Sequence, residues 1–76
     1  MRKIIHLTTT EEFQLRLEFD DGTKKEFDMK PYFQFPVFLI LKNPHIFSQV
    51  TNRGYYIEWQ AQNIDLGADT LWHEGK

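Results

Sequence analysis

Apolar residues recur at every second position from Phe13 to Phe19, where Phe13, Leu15, Leu17 and Phe19 alternate with Gln14, Arg16 and Glu18. A period of two belongs to a strand with one face buried. After Asp20-Asp21-Gly22 the apolar positions are Phe27 and Met29, again odd-numbered. A two-residue Asp21-Gly22 loop would set Leu15 beside Asp28 and put charge in the core. A three-residue loop pairs Phe19 with Thr23, Leu15 with Phe27 and Phe13 with Met29, keeps one face apolar, and requires Gly22 at positive φ. The same register sets Arg16 opposite Glu26 and Glu18 opposite Lys24, cross-strand pairs contributing about 0.2–1 kcal/mol each. Lys25, inward opposite Leu17, lays its stem along the core while its ammonium reaches water.

Lys3 to Leu7 carries Ile5 and Leu7 in alternation and is predicted as a first strand. Thr8 to Glu12 returns it antiparallel onto Phe13 to Phe19, with Leu7 beside Phe13 and Ile5 beside Leu15, so that a three-strand meander ends near Asp28. Asp28-Met29-Lys30-Pro31-Tyr32-Phe33 reads as a cap and one helical turn. Phe35 to Lys42 changes period: Val37, Ile40 and Leu41 share a helical face, although the composition also suits a buried strand. Proline at its opening favours the helix, and Asn43-Pro44 begins a second one running to Gln49. These place Ile46, Phe47 and Val50 on the sheet. Thr51 to Gly54 is predicted as a turn, and Tyr55 to Trp59 as a strand with Tyr55, Ile57 and Trp59 on one side. A Gln60–Asn63 connection, an extended Ile64-Asp65-Leu66, a turn over Asp69 to Trp72 and a frayed tail from His73 to Lys76 complete the chain.

The expected architecture is α+β: a curved antiparallel sheet opening with a three-strand meander, plus two or three short helices, in a single domain over residues 1–76. At 76 residues the chain is near the lower limit for one hydrophobic core. Without cysteine no disulfide supplements it, which fits a reducing compartment. Aromatic residues at 16% supply much of the burial instead, and self-association as a homodimer would add more. The opening residues are too soon polar for a signal peptide, and no apolar run reaches membrane-spanning length, so a cytoplasmic location is expected. With net charge −2 and cations interspersed among acids, the chain lacks the basic stripe of a nucleic-acid binder.

Several residues invite a chemical reading. Asp20 and Asp21 offer carboxylates to a divalent cation, but turn chemistry accounts for them and no calcium-loop motif surrounds them. Glu58, Asp65 and Asp69 form an acidic cluster that, as acid and base or around a metal, would make a small-molecule or metal-binding domain or a minor enzyme. Cap and surface duty is the alternative, in a chain too small for a deep cleft. His6, His45 and His73 lack metal-ligand spacing, and nucleotide-binding and nucleophile motifs are absent, so no cofactor and no catalytic residue is expected. Tyr56, Trp59 and Trp72 are candidates for a partner surface. Strand periodicity offers the competing view in which Tyr55, Ile57 and Trp59 are core and Trp72 its lid, leaving Tyr56 as the exposed ring.

The elements Leu17-x-Phe19-Asp20-Asp21-Gly22, Phe27-Asp28-Met29-x-Pro31-Tyr32, Val37-Phe38-x-x-Leu41-x-Asn43-Pro44-x-x-Phe47, Ile57-x-Trp59 and Ile64-Asp65-Leu66-x-x-Asp69-x-Leu71-Trp72 occur in order across nearly the whole chain. In this the chain resembles a family of small bacterial proteins known as domain of unknown function number 2442. It departs at Asn43, where such proteins often carry Asp, at Gln60, where Pro is common, and at Trp72, where Tyr is frequent. The resemblance implies a curved antiparallel sheet with short helices, copies that stand alone or join helix-turn-helix segments, and gene neighbours of toxin–antitoxin type. It implies no catalytic residues. A non-catalytic protein-interaction module, binding itself or a partner protein, is the expected function.

Overall fold

The computed structural model describes residues 2–76. Strands β1 (Ile4–Thr9), β2 (Gln14–Phe19) and β3 (Lys24–Asp28) form one antiparallel sheet in the order β1-β2-β3. Strands β4 (Thr51–Asn52), β5 (Tyr56–Trp59) and β6 (Ile64–Gly67) form a second in the order β4-β5-β6. Between them the chain runs through 3-10 helices Lys30–Gln34 and Pro36–Lys42 and the one-turn helix α1 (Pro44–Phe47). A third 3-10 turn, Gln60–Gln62, joins β5 to β6, and helix α2 (Ala68–Glu74) follows β6. The class is α+β as expected, with the antiparallel strands divided between two sheets. These meet where Ile4 N–H donates to the Gly54 carbonyl at 2.8 Å and Asn52 Nδ2 donates to the Ile4 carbonyl at 3.0 Å.

The second hairpin has the register set by parity. Leu15 faces Phe27, Arg16 faces Glu26 and Glu18 faces Lys24. Phe19 N–H donates to the Thr23 carbonyl at 2.8 Å, Gly22 N–H donates to the Phe19 carbonyl at 2.9 Å, and Gly22 has φ 90°. Asp21 Oδ1 accepts from Thr23 N–H at 2.9 Å, and that bond is the main reason its carboxyl sits below its ordinary value. A Cβ at Gly22 would meet nothing within 4 Å, so Gly22→Ala tests backbone conformation alone. It is expected to cost about 1–2 kcal/mol, lowering Tm by about 5–10 °C on calorimetry. An unchanged Tm would show that the turn closes without a left-handed residue.

The first hairpin departs from expectation. β1 pairs Leu7 with Leu17 and Thr9 with Leu15, not Leu7 with Phe13 and Ile5 with Leu15. The β-branched Thr8 and Thr9 extend the strand, and the loop is Glu11-Glu12-Phe13. Thr10 N–H donates to the Gln14 carbonyl at 3.0 Å and Phe13 N–H to the Thr10 carbonyl at 3.2 Å. The Thr10 hydroxyl oxygen accepts from the N–H groups of Glu12 and Gln14. The backbone bonds repeat those of the Asp20-Asp21-Gly22 loop, with Phe13 at φ 63° in the glycine position. A bulge between Ile4 and His6 also changes strand parity, burying Ile4 and exposing Ile5.

The segment after Pro36 is helical, but its period is three. That places Leu41 in the core with Phe38 half-buried above it, and turns Val37 and Ile40 to solvent. The expected shared face of Val37, Ile40 and Leu41 therefore does not form. α1 begins as predicted, with Asn43 Oδ1 accepting from His45 N–H at 3.0 Å and Pro44 opening the turn, but ends at Phe47 rather than Gln49. Thr51 and Asn52 are strand rather than turn, pairing with Glu58 and Ile57. The turn is Gly54-Tyr55, with Gly54 at φ 87°, the glycine-first order of a tight hairpin. Tyr55 is consequently exposed instead of joining Ile57 and Trp59 in the core. The C-terminal tail is docked: Gly75 N–H donates to the Leu71 carbonyl at 2.9 Å and Lys76 N–H to the Glu26 carbonyl at 2.7 Å.

Candidate functional site

The three aromatic residues expected at a partner surface occupy three different environments. Trp59 is 1% exposed. Its Nε1 donates to the Phe47 carbonyl at 2.9 Å, and its ring stacks on Phe47 with centroids 6.0 Å apart. It is the largest fully buried side chain, so its alternation with Ile57 marks core and removes it from any contact surface. Trp72 is half-buried, edge-on to Phe19 at 4.9 Å. Arg2 Cζ lies 4.0 Å and Lys25 Nζ 4.6 Å from the Trp72 ring centroid, an arrangement attractive for both cations. Lys25 Nζ also donates to the Trp72 carbonyl at 2.7 Å, which accommodates the one charged residue directed inward from β3. Tyr56 alone of the three is exposed, on β5 opposite Gly67.

Glu58 and Asp65 are direct cross-strand neighbours on β5 and β6. Glu58 Oε1 accepts from Arg53 Nε at 2.7 Å, while Asp69, in the first turn of α2, stands 3.9 Å from Arg2. Each of these two acids thus has its own arginine. Among the described residues no group of three His, Cys, Asp or Glu side chains is placed to hold a metal ion, and no buried side-chain polar atom lacks a hydrogen-bond partner. Asp20 and Asp21 lie in the second hairpin's turn. Among the histidines, His45 Nε2 lies 3.1 Å from the side-chain amide nitrogen of Gln49.

Two other features stand out. Along the second 3-10 helix and the residue before it, Phe35 is 48%, Val37 60%, Leu39 49% and Ile40 48% exposed. This ridge follows from the three-residue period, which spends only Phe38 and Leu41 on the core. The signal in the sequence was the i, i+3 spacing of Phe35, Phe38 and Leu41 beside that of Val37 and Ile40, read instead with an α-helical period. Beside the ridge lies an open groove of about 620 Å³. Tyr32, backed by the buried Phe27, and Phe35 give it an apolar side, and Glu26, Asp28 and Glu74 contribute three carboxylates against the single cation Lys76. Burial raises the Tyr32 phenol above its ordinary pKa, and the Glu74 carboxylate adds to the effect. The groove has no such local signal, since it arises where separate segments meet.

No helix among the described residues is long and apolar enough to cross a membrane. No curated protein and no solved structure matches the chain. The model of the family described as "Protein of unknown function (DUF2442)" matches residues 4–76, the span that contains both sheets, the ridge and the groove. The chain belongs to the DUF2442 family.

Proposed function

We propose that this chain is a non-catalytic protein-interaction module that self-associates through the 35–40 ridge. The observation that carries the reading is the exposure of four large apolar side chains within six residues. Such contiguous exposure commonly marks a contact surface. Its area, on the order of 300–400 Å², is about half of the ~800 Å² per partner in a standard stable interface. The association is therefore weak and concentration-dependent. A second copy suits the ridge because its two ends differ in charge. Lys42 closes the helix at one end, and the carboxylates of the groove lie beside Phe35 at the other. A twofold antiparallel arrangement brings each Lys42 toward the acidic end of its partner.

Sedimentation equilibrium from micromolar to millimolar chain is expected to show a reversible dimer. Val37→Gln combined with Ile40→Gln should weaken it about tenfold or more, with Tm nearly unchanged because both side chains already face water. A wild-type chain that stays monomeric throughout this range would remove the reading. A bacterial cytoplasmic setting, in a regulatory or toxin–antitoxin-like operon, belongs to the same proposal. It is supported by the family resemblance alone and is checked by the gene's immediate neighbours.

A further inference from the structure

β3 is the outermost strand of its sheet, and half of its backbone groups are turned away from β2. Phe19 N–H donates to the Thr23 carbonyl and Met29 N–H to the Phe13 carbonyl, so the odd-numbered residues of this hairpin exchange its ladder bonds. Alternation along an antiparallel pair then directs the N–H and C=O groups of Lys24, Glu26 and Asp28 away from β2. One of these groups already accepts backbone: the Glu26 carbonyl takes the N–H of Lys76, which follows an extended Gly75 at φ −75°, ψ 160°. Beyond that single bond β3 is the last strand of its sheet. Exposed backbone of this kind is a template for strand addition.

The groove beside this edge supplies side-chain selectivity. Glu26 and Asp28 are exposed on the outer face of β3, whereas Phe27 between them is buried on the inner one. Arg16 and Lys30 reach the two carboxylates only at 3.8 and 3.5 Å, in exposed pairs that cost little to displace. We propose that the groove binds an extended basic segment of another protein, added antiparallel to β3 as a fourth strand that takes the Glu26 carbonyl over from Lys76 N–H. Alternate lysines or arginines of that segment meet Glu26 and Asp28, and the intervening apolar side chains meet Tyr32 and Phe35. The occupant is thus of period two, basic on one face and apolar on the other.

The probe that tests this is acetyl-Lys-Val-Lys-Val-Lys-Val-amide, titrated against the 76-residue chain by amide chemical-shift mapping. It is expected to bind at least about tenfold more tightly than its Glu-Val counterpart. Residues directly opposite Glu26 and Asp28 in an antiparallel pair share their face, so the probe's lysine N–H groups point at β3. N-methylation of the lysines should abolish binding, whereas N-methylation of the valines should change it by no more than about twofold. Equal loss at both parities, equal binding of the acidic probe, or no binding at millimolar probe would each overturn the proposal. It goes beyond self-association at the ridge. The Val37→Gln, Ile40→Gln chain keeps Tyr32, Phe35 and the groove carboxylates and should bind the probe at least as tightly as wild type, whose dimer would bring Lys42 to the same carboxylates, so failure at the groove is separated from failure at the ridge.

Discussion

Trp59→Ala is expected to bring the domain to the edge of unfolding at room temperature. Removing a buried tryptophan or phenylalanine side chain costs about 3–5 kcal/mol, whereas a chain of this length holds in total about 4–11 kcal/mol at ordinary values per residue. Trp59 is fully buried, stacks on Phe47 and donates its indole N–H to the Phe47 carbonyl. It thereby ties β5 to α1, and through α1 to the segment that carries the ridge. Trp59→Phe separates the two contributions, because it keeps an aromatic ring in the site but leaves that buried carbonyl without the indole donor, a loss of about 1–3 kcal/mol. Urea denaturation should therefore rank wild type above Trp59→Phe and that above Trp59→Ala, with unchanged slope. A Trp59→Ala midpoint within error of wild type would mean that this side chain does not anchor the core.

Parity of apolar residues was enough to place β2 and β3 residue by residue, because a slip of one position would have buried Asp28 or Lys24. The same reasoning failed one hairpin earlier for an identifiable cause. β1 contains a bulge, which inserts one residue and exchanges the faces of Ile4 and Ile5. Its turn is closed by the Thr10 hydroxyl and a phenylalanine at positive φ, where neither glycine nor Asn-Gly announces it. In the middle segment the prolines at 31 and 36 and the Asn43 cap marked the helix starts correctly, but helix type decides which residues are left over. With a three-residue period Val37 and Ile40 become surface, and with 3.6 they would have been core.

The candidate sites divide along the same line. Tyr56 was legible as exposed because strand parity is local. The choice between core and surface for Trp59 required knowing that the Phe47 carbonyl waits beneath it. The acidic residues Glu58, Asp65 and Asp69 look like a cluster in a linear reading. In space Glu58 binds Arg53, and Asp69 stands near Arg2, a residue 67 positions away in sequence. Likewise the groove combines β3, the first 3-10 helix and the last three residues, and no pattern within any one of them foretells it. The expected fraying of the tail erred for this reason. Lys76 is ordered by a bond to β3, not by anything in its own neighbourhood.

Phe13 offers the sharpest test of how backbone and packing trade against each other, and it should invert the usual ranking of glycine and alanine. An L-residue in the left-handed region is disfavoured by about 1–2 kcal/mol, yet Phe13 adopts φ 63° where the equivalent position of the next hairpin holds Gly22. The ring accounts for this choice: it lies edge-on to Phe33 at 5.3 Å and tilted against Phe47 at 5.4 Å, aromatic contacts worth about 0.5–1.5 kcal/mol each. Those contacts link the first turn to both the first 3-10 helix and α1. Phe13→Ala loses the ring with its two aromatic contacts and keeps the strained conformation, so it should destabilise by about 2–3 kcal/mol. Phe13→Gly loses the same ring but releases the strain, and even after the extra freedom it gives the unfolded chain it should be the more stable of the two by about 0.5–1 kcal/mol. Equilibrium urea unfolding of both variants reads the difference directly. If alanine proves the more stable, the turn in solution is not left-handed at Phe13, and β1 takes a different register against β2.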